Sequence, residues 1–186
     1  MKKMTMEKES KFIEFKSRFS NARELTNGQK SEGILTLEPN EEGPPEHIHT
    51  KQIEYFEVLF GELTVKIEGQ YIKLKIGDRT EIKKGLRHTY FNNTNEKVQA
   101  KFGYEPALNI QWMLDTLESS DHKNGGDWNK IPILETGFVL YNLRAEYRLS
   151  KLPFWLQDIL FGTLSKLAQI TGISNKIKLP QNLSKN

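Results

Sequence analysis

The chain has no cysteine among its 186 residues. Neither a disulfide framework nor a thiolate metal site is open to it, so any metal must be held by imidazole and carboxylate. It also lacks any run near the roughly 18 apolar residues that a membrane span needs. The first residues, MKKMTMEKESKF, are charged, and no apolar stretch of the kind found in a secretory signal follows them. The charge has no strong bias either: 27 basic residues stand against 24 acidic ones, a net charge of +3. No basic stripe alternates with aromatics as a nucleic-acid surface would require. These absences predict a cytoplasmic protein acting on a small-molecule ligand, with no nucleic-acid partner and no membrane span. The length suffices to bury a core without staples.

What is present changes texture partway along. Residues 1–10 read as a flexible tail. From Lys11 onward, short segments follow one another, each closed by turn residues. They are Phe12 to Phe15, Gly33 to Leu37, Glu54 to Leu59, Leu63 to Ile67, Tyr71 to Ile76, Arg79 to Ile82, His88 to Asn92 and Val98 to Tyr104. Asn27-Gly28, Gly61-Glu62 and Gly69-Gln70 supply turns. About eight or nine short strands with turn signals every 8–12 residues predict an antiparallel sandwich or barrel.

After Pro106 the period becomes helical, with Ile110, Met113, Leu114 and Leu117 on one face. A polar loop from Ser119 to Lys130 follows and carries His122, read as solvated. A second helix is expected from Pro132 to about Leu149 and a third from Pro153 to Gly172. In the third helix Leu156, Ile159, Leu160, Thr163, Leu164, Leu167 and Ile170 form the stripe expected to pack. Phe154 and Phe161 lie on its far side and call for a second apolar contact, for which Phe138 to Tyr141 is the first choice. A membrane-surface role is the weaker reading, because the polar face is not lysine-rich. The expected plan is a mainly β barrel over 11–105 and about three C-terminal α-helices over 106–175, packing on or capping it. A loose tail occupies 176–186.

Three of the four histidines lie between Gly43 and Asn92. His47 and His49 are two residues apart, so in a strand their imidazoles share a face. Glu54 shares the inward face of the next strand with Phe56 and Val58, where a carboxylate is costly unless paired or metal-bound. His88 opens a later strand with Tyr90 and Asn92 on its side. Either the histidines are hydrogen-bonded barrel residues, or they meet Glu54 around one ion. Three imidazoles and a carboxylate suit one divalent transition metal, Fe, Mn, Zn, Ni, Co or Cu. Phe56 and Tyr90, on the same faces, are the expected substrate-binding side chains. Asn92 reads as a turn residue, and Lys83, Lys84 and Arg87 as a solvated loop.

In these residues the chain resembles the cupin superfamily. The first family motif, G(X)5HXH(X)3–4E(X)6G, is matched by His47, His49, Glu54 and Gly61. The second, G(X)5PXG(X)2H(X)3N, is matched by Gly77, Gly85, His88 and Asn92. Glu41 stands in place of the leading glycine, with Gly43 two residues on, and Lys83 replaces the proline. The short segment between the motifs, Glu62 to Ile76, is similar to that of small single-domain bacterial members. The resemblance implies an antiparallel double-stranded β-helix, the cupin jelly-roll barrel. It also implies that His47, His49, Glu54 and His88 are the metal ligands.

The scaffold hosts many chemistries, so fold alone does not name the reaction. The expected function is a metal-dependent dioxygenase or other oxidoreductase acting on a small, partly apolar molecule, with Glu54 as a possible base. The alternative is a non-catalytic, metal-assisted binding or sensing module. A homodimer is the expected assembly.

Overall fold

Alternation along the chain becomes two five-stranded antiparallel sheets. The computed structural model describes residues 19–20, 29–123 and 130–183. One sheet runs in the order β1 (Phe19–Ser20), β2 (Ser31–Leu37), β9 (Val98–Glu105), β4 (Ile53–Phe60), β7 (Arg79–Ile82). The other runs β10 (Tyr147–Leu149), β3 (His47–His49), β8 (Arg87–Phe91), β5 (Leu63–Ile67), β6 (Gln70–Leu74). Every second residue of β2, from Ser31 to Leu37, is buried, and the inner faces meet in one core holding Leu35, Phe56, Leu63, Val65 and Phe102. Each such side chain contributes about 1.5–3 kcal/mol by leaving water. This is the expected jelly-roll barrel with helices after it.

The strand boundaries agree with the sequence to within a residue or two, which is the ordinary play of strand ends. The strand expected over Tyr71 to Ile76 stops at Leu74, because Ile76 and Gly77 form the turn into β7. The candidate strand at Phe12 to Phe15, the Asn27-Gly28 turn and the tail over 1–10 lie outside the described residues.

Three helical expectations need correction. Helix α1 (Ile110–Lys123) runs through Ser119, Ser120 and Asp121, the start of the expected polar loop. Ser120 is buried and donates to Glu135 at 2.5 Å, so a tertiary contact draws it into the helix, and position 122 falls in the last turn. Helix α2 (Ile133–Asn142) ends seven positions before the Leu149 expected of it. The chain turns at Leu143 to Glu146 and then forms β10, because the edge of β3 offers unpaired backbone groups that a helix could not satisfy.

The third correction concerns α3 (Phe154–Ile170), whose limits match expectation, with Gly172 left-handed at φ 73°. Its fully buried residues are Gln157, Ser165 and Ala168; of the stripe expected to pack, Leu156 and Leu164 are half-buried and the rest are exposed. The helix lies on α2 with Leu164 over Gly137 and Tyr141 over Gly162. A Cβ on Gly137 would stand 2.4 Å from Cβ of Leu164, and one on Gly162 would stand 3.1 Å from the Tyr141 ring. Glycines that make room for Leu164 and Tyr141 therefore help choose the contact face. Packing on the Phe138 to Tyr141 segment holds; Ile159, Leu160, Leu167 and Ile170 face outward.

Candidate metal centre

The site begins with β3, three residues long and paired on both sides. Across the β3–β8 ladder His47 lies directly opposite His88, and across β10–β3 His49 lies opposite Tyr147. Thus the three imidazoles project from one sheet. Glu54 reaches them from the facing sheet, where it lies opposite Tyr104 and Ile82. The turn before His88 is tied to the ligand strand, since Gly85, at φ 87°, donates its N–H to the His49 carbonyl at 2.8 Å. Lys83 in place of a proline leaves that turn intact. Gly43 approaches so closely that a Cβ there would stand 1.9 Å from the Tyr90 carbonyl oxygen. Asn92 is buried and stitches the end of β8, donating to the carbonyls of Glu38 and Glu96 and accepting from Thr94.

One ligand atom from each of His47, His49, Glu54 and His88 lies within 4.8 Å of all the others, and all four residues are buried. Nδ1 of His47 donates to the Pro45 carbonyl and Nδ1 of His88 to the Leu86 carbonyl, each at 2.9 Å. Because a carbonyl only accepts, the proton sits on Nδ1 and Nε2 is the atom turned to the cluster. The three Nε2 atoms stand 4.0, 3.4 and 2.6 Å from Glu54 Oε2, for His47, His49 and His88 in turn.

The donor set fits a metal ion. Two ligand atoms each about 2.1 Å from one ion lie roughly 3 Å apart at right angles and about 4.2 Å apart when opposed. The 3.4 and 4.0 Å separations fall in that window. The 2.6 Å separation is a direct hydrogen bond between His88 and Glu54. Both nitrogens of His49, and Oε1 of Glu54, are buried without a hydrogen-bond partner. Buried polar atoms normally find partners, so orphans clustered at one point call for one. A divalent cation bound by His47, His49, Glu54 and His88 would give one His49 nitrogen and the Glu54 carboxylate a partner.

Electrostatics follow the same geometry. Burial, reinforced by the neighbouring imidazoles, holds His47 well below the ordinary histidine range, so it is neutral. Burial also opposes charge on His88, but the Glu54 hydrogen bond outweighs it and raises its proton affinity. Burial alone would raise Glu54, yet the close His49 imidazole and the His88 hydrogen bond bring it well below the usual carboxylate range. His88 and Glu54 thus each favour the charged form of the other, through the hydrogen bond they share.

Two residues at the site were not singled out from the sequence, Tyr104 and Tyr147. The Tyr147 ring stacks on His47 at 4.8 Å and meets His49 edge-on at 5.5 Å, while Tyr104 meets His49 at 5.1 Å. Burial, with the Glu54 charge behind it, pushes both phenols above their usual range, so both remain neutral hydroxyls. The signal for Tyr104 was legible: it shares strand parity with Val98, Ala100 and Phe102, all buried. Tyr147 was hidden by the helical reading of its segment. Phe56 and Tyr90 are both buried and touch each other, ring centres 4.9 Å apart. Lys83 and Lys84 are exposed, and Arg87 pairs with Glu68 at 3.1 Å.

A double-stranded β-helix with a histidine–glutamate cluster between its sheets defines the class, a jelly-roll barrel built around a candidate metal centre. The family model for the cupin domain matches residues 33–102. No curated protein matches the chain. Among solved structures it is similar to an uncharacterized conserved protein with a double-stranded β-helix domain from Klebsiella pneumoniae. That likeness has 23% identity and a TM-score of 0.42, covering 45% of this chain and 72% of the other. A sugar phosphate isomerase of the cupin superfamily from Silicibacter pomeroyi is similar at 22% identity and a TM-score of 0.39, over 41% of this chain and 50% of that one. Salicylate 1,2-dioxygenase from Pseudaminobacter salicylatoxidans is similar at 25% identity and a TM-score of 0.41, over 45% of this chain and 24% of that one. The chain thus spans half of the isomerase and about a quarter of the dioxygenase.

Proposed function

We propose that this protein holds one divalent transition metal on His47, His49, Glu54 and His88 and acts as a metal-dependent oxidoreductase, dioxygenase-like, on a small and partly apolar molecule. The observation that carries the metal is the convergence of three buried Nε2 atoms on Glu54 Oε2 while the His49 ring nitrogens lack hydrogen-bond partners. When bound, the ion would supply Lewis acidity and, with four protein ligands, open positions for a small molecule. The chain's own residues do the rest. Tyr104 and Tyr147 present neutral hydroxyls as donors, Phe56 and Tyr90 offer apolar walls, and Glu54 is the candidate base. No lysine or arginine is buried among the described residues, which disfavours a phosphorylated substrate in this interior. The expected homodimer and cytoplasmic setting belong to the same reading. The β6 edge, where Tyr71 and Ile72 are exposed, is the surface offered for pairing, and a monomer by light scattering would remove the dimer.

The test is elemental analysis of the purified protein and of His49→Ala, followed by oxygen uptake with flavonols, diketones and aromatic diols. Stoichiometric metal in the wild type and its loss in His49→Ala are expected. A wild type that takes up no transition metal would sink the metal reading. Metal without turnover of any compound would favour the alternative, a binding or sensing module.

A further inference from the structure

The face of α3 that looks away from α2 is apolar and uncovered among the described residues. Trp155, Ile159 and Ile170 are 65%, 60% and 81% exposed, with Leu160 and Leu167 beside them. At 3.6 residues per turn these side chains form one stripe along the helix, interrupted only by Thr163 and Lys166. Soluble surfaces seldom expose a contiguous apolar stripe of this kind without a partner.

The charge around the stripe selects the partner. Lys166 sits within it, and Lys151, Lys176 and Lys178 lie beyond its ends, all exposed. From Ser150 to Asn186 the sequence holds a single carboxylate, Asp158, and it is bound to Arg148 at 2.6 Å. The surface is therefore apolar along its centre and cationic at its edge. Two copies meeting through this face would press Lys166 against apolar side chains and bring two basic rims together. At a lipid surface the same lysine extends its amine to the headgroups while its stem stays with the acyl chains. Trp155 at the first turn suits the interfacial zone, where a ring with an apolar body and a polar N–H is favoured. The polar face looked too poor in lysine in the sequence, but that opposite face is packed on α2, so the relevant charge is that of the rim.

We propose that α3 is a peripheral docking surface for an anionic phospholipid bilayer, lying in the plane of the interface. Its packing keeps it on the membrane rather than across it, and no described helix is long and apolar enough to cross one.

The full chain is sedimented with vesicles of phosphatidylcholine alone and of phosphatidylcholine mixed equally with phosphatidylserine. Binding to the mixed vesicles is expected, weakening as salt is raised and falling at least tenfold in Ile159→Glu/Ile170→Glu. Lys166→Glu/Lys176→Glu is expected to lose the preference for phosphatidylserine. These positions are exposed, so both variants should melt as the wild type does. No binding to either vesicle overturns the proposal, and equal binding to both overturns the anionic assignment. A chain that does not bind vesicles, forms a dimer and is split by Ile159→Glu/Ile170→Glu would show a second copy as the occupant, also overturning it.

Discussion

Tyr147 stacks on His47, the planes only 21° from parallel, so a residue from the C-terminal segment closes over the imidazoles of the barrel. Two substitutions separate its ring from its hydroxyl. Tyr147→Phe keeps the stack and should change stability by no more than about 1 kcal/mol. Tyr147→Ala leaves a cavity beside His47 and His49 and should cost about 3–5 kcal/mol. Denaturant midpoints distinguish the two; equal midpoints for Tyr147→Ala and wild type would mean the stack contributes nothing.

The proposed metal and the fold would be linked through the same cluster. A divalent transition metal at a hundredfold excess over its Kd should stabilise the metal-free protein by about 2.7 kcal/mol, or roughly 5–10 °C in Tm for a domain of this size. Differential scanning calorimetry with and without chelator reads the shift. In His49→Ala it should disappear, and a full shift there would place the metal elsewhere.

Gly43 makes a prediction about backbone. With a Cβ overlapping the Tyr90 carbonyl oxygen, Gly43→Ala must push β8 or its own loop aside. Overpacking of this kind costs about 1–3 kcal/mol. Because Tyr90 follows His88 by two residues, the displacement should also weaken metal uptake, measurable by titration calorimetry. Wild-type stability and uptake together would contradict the assignment.

Acid stability should depend on the outer face of the barrel. Glu32 has its carboxyl lowered from 4.5 to about 2. Partial burial opposes this, but hydrogen bonds from Tyr55, Lys101 and Lys30 outweigh it. A depressed native value means stability fully present above pH 4.5 and lost as pH falls through about 2. The difference in unfolding free energy between wild type and Glu32→Gln should therefore be constant above the upper value and shrink below it. A difference that grows with acid would reverse the sign.

The barrel and the four clustered side chains were legible because strand parity is local. Glu54, Phe56 and Val58 alternate in the sequence and are buried in the structure. Leu143 to Leu149 was not legible, because Ala145 and Glu146 favour helix and nothing nearby reveals that β3 needs a neighbour. For α3 the period identified a helix but not its buried side, since apolar residues occur on both. The better sign was the row of small residues Gly162, Ser165 and Ala168, which lets two backbones approach.

Glu146 joins the two halves of the chain. It accepts from Gln52 Nε2 at 2.9 Å, from the Asn109 backbone N–H at 3.0 Å and from Asn109 Nδ2 at 2.6 Å. Gln52 and Glu146 are 94 residues apart. During synthesis His47, His49, Glu54 and His88 emerge well before Glu146 and Tyr147. A barrel lacking the C-terminal segment would lack the Tyr147 ring that stacks on His47. For the proposed metal, acquisition would then be a question of timing as much as of affinity. The finished protein should then release it to a chelator only as fast as β10 lifts from β3.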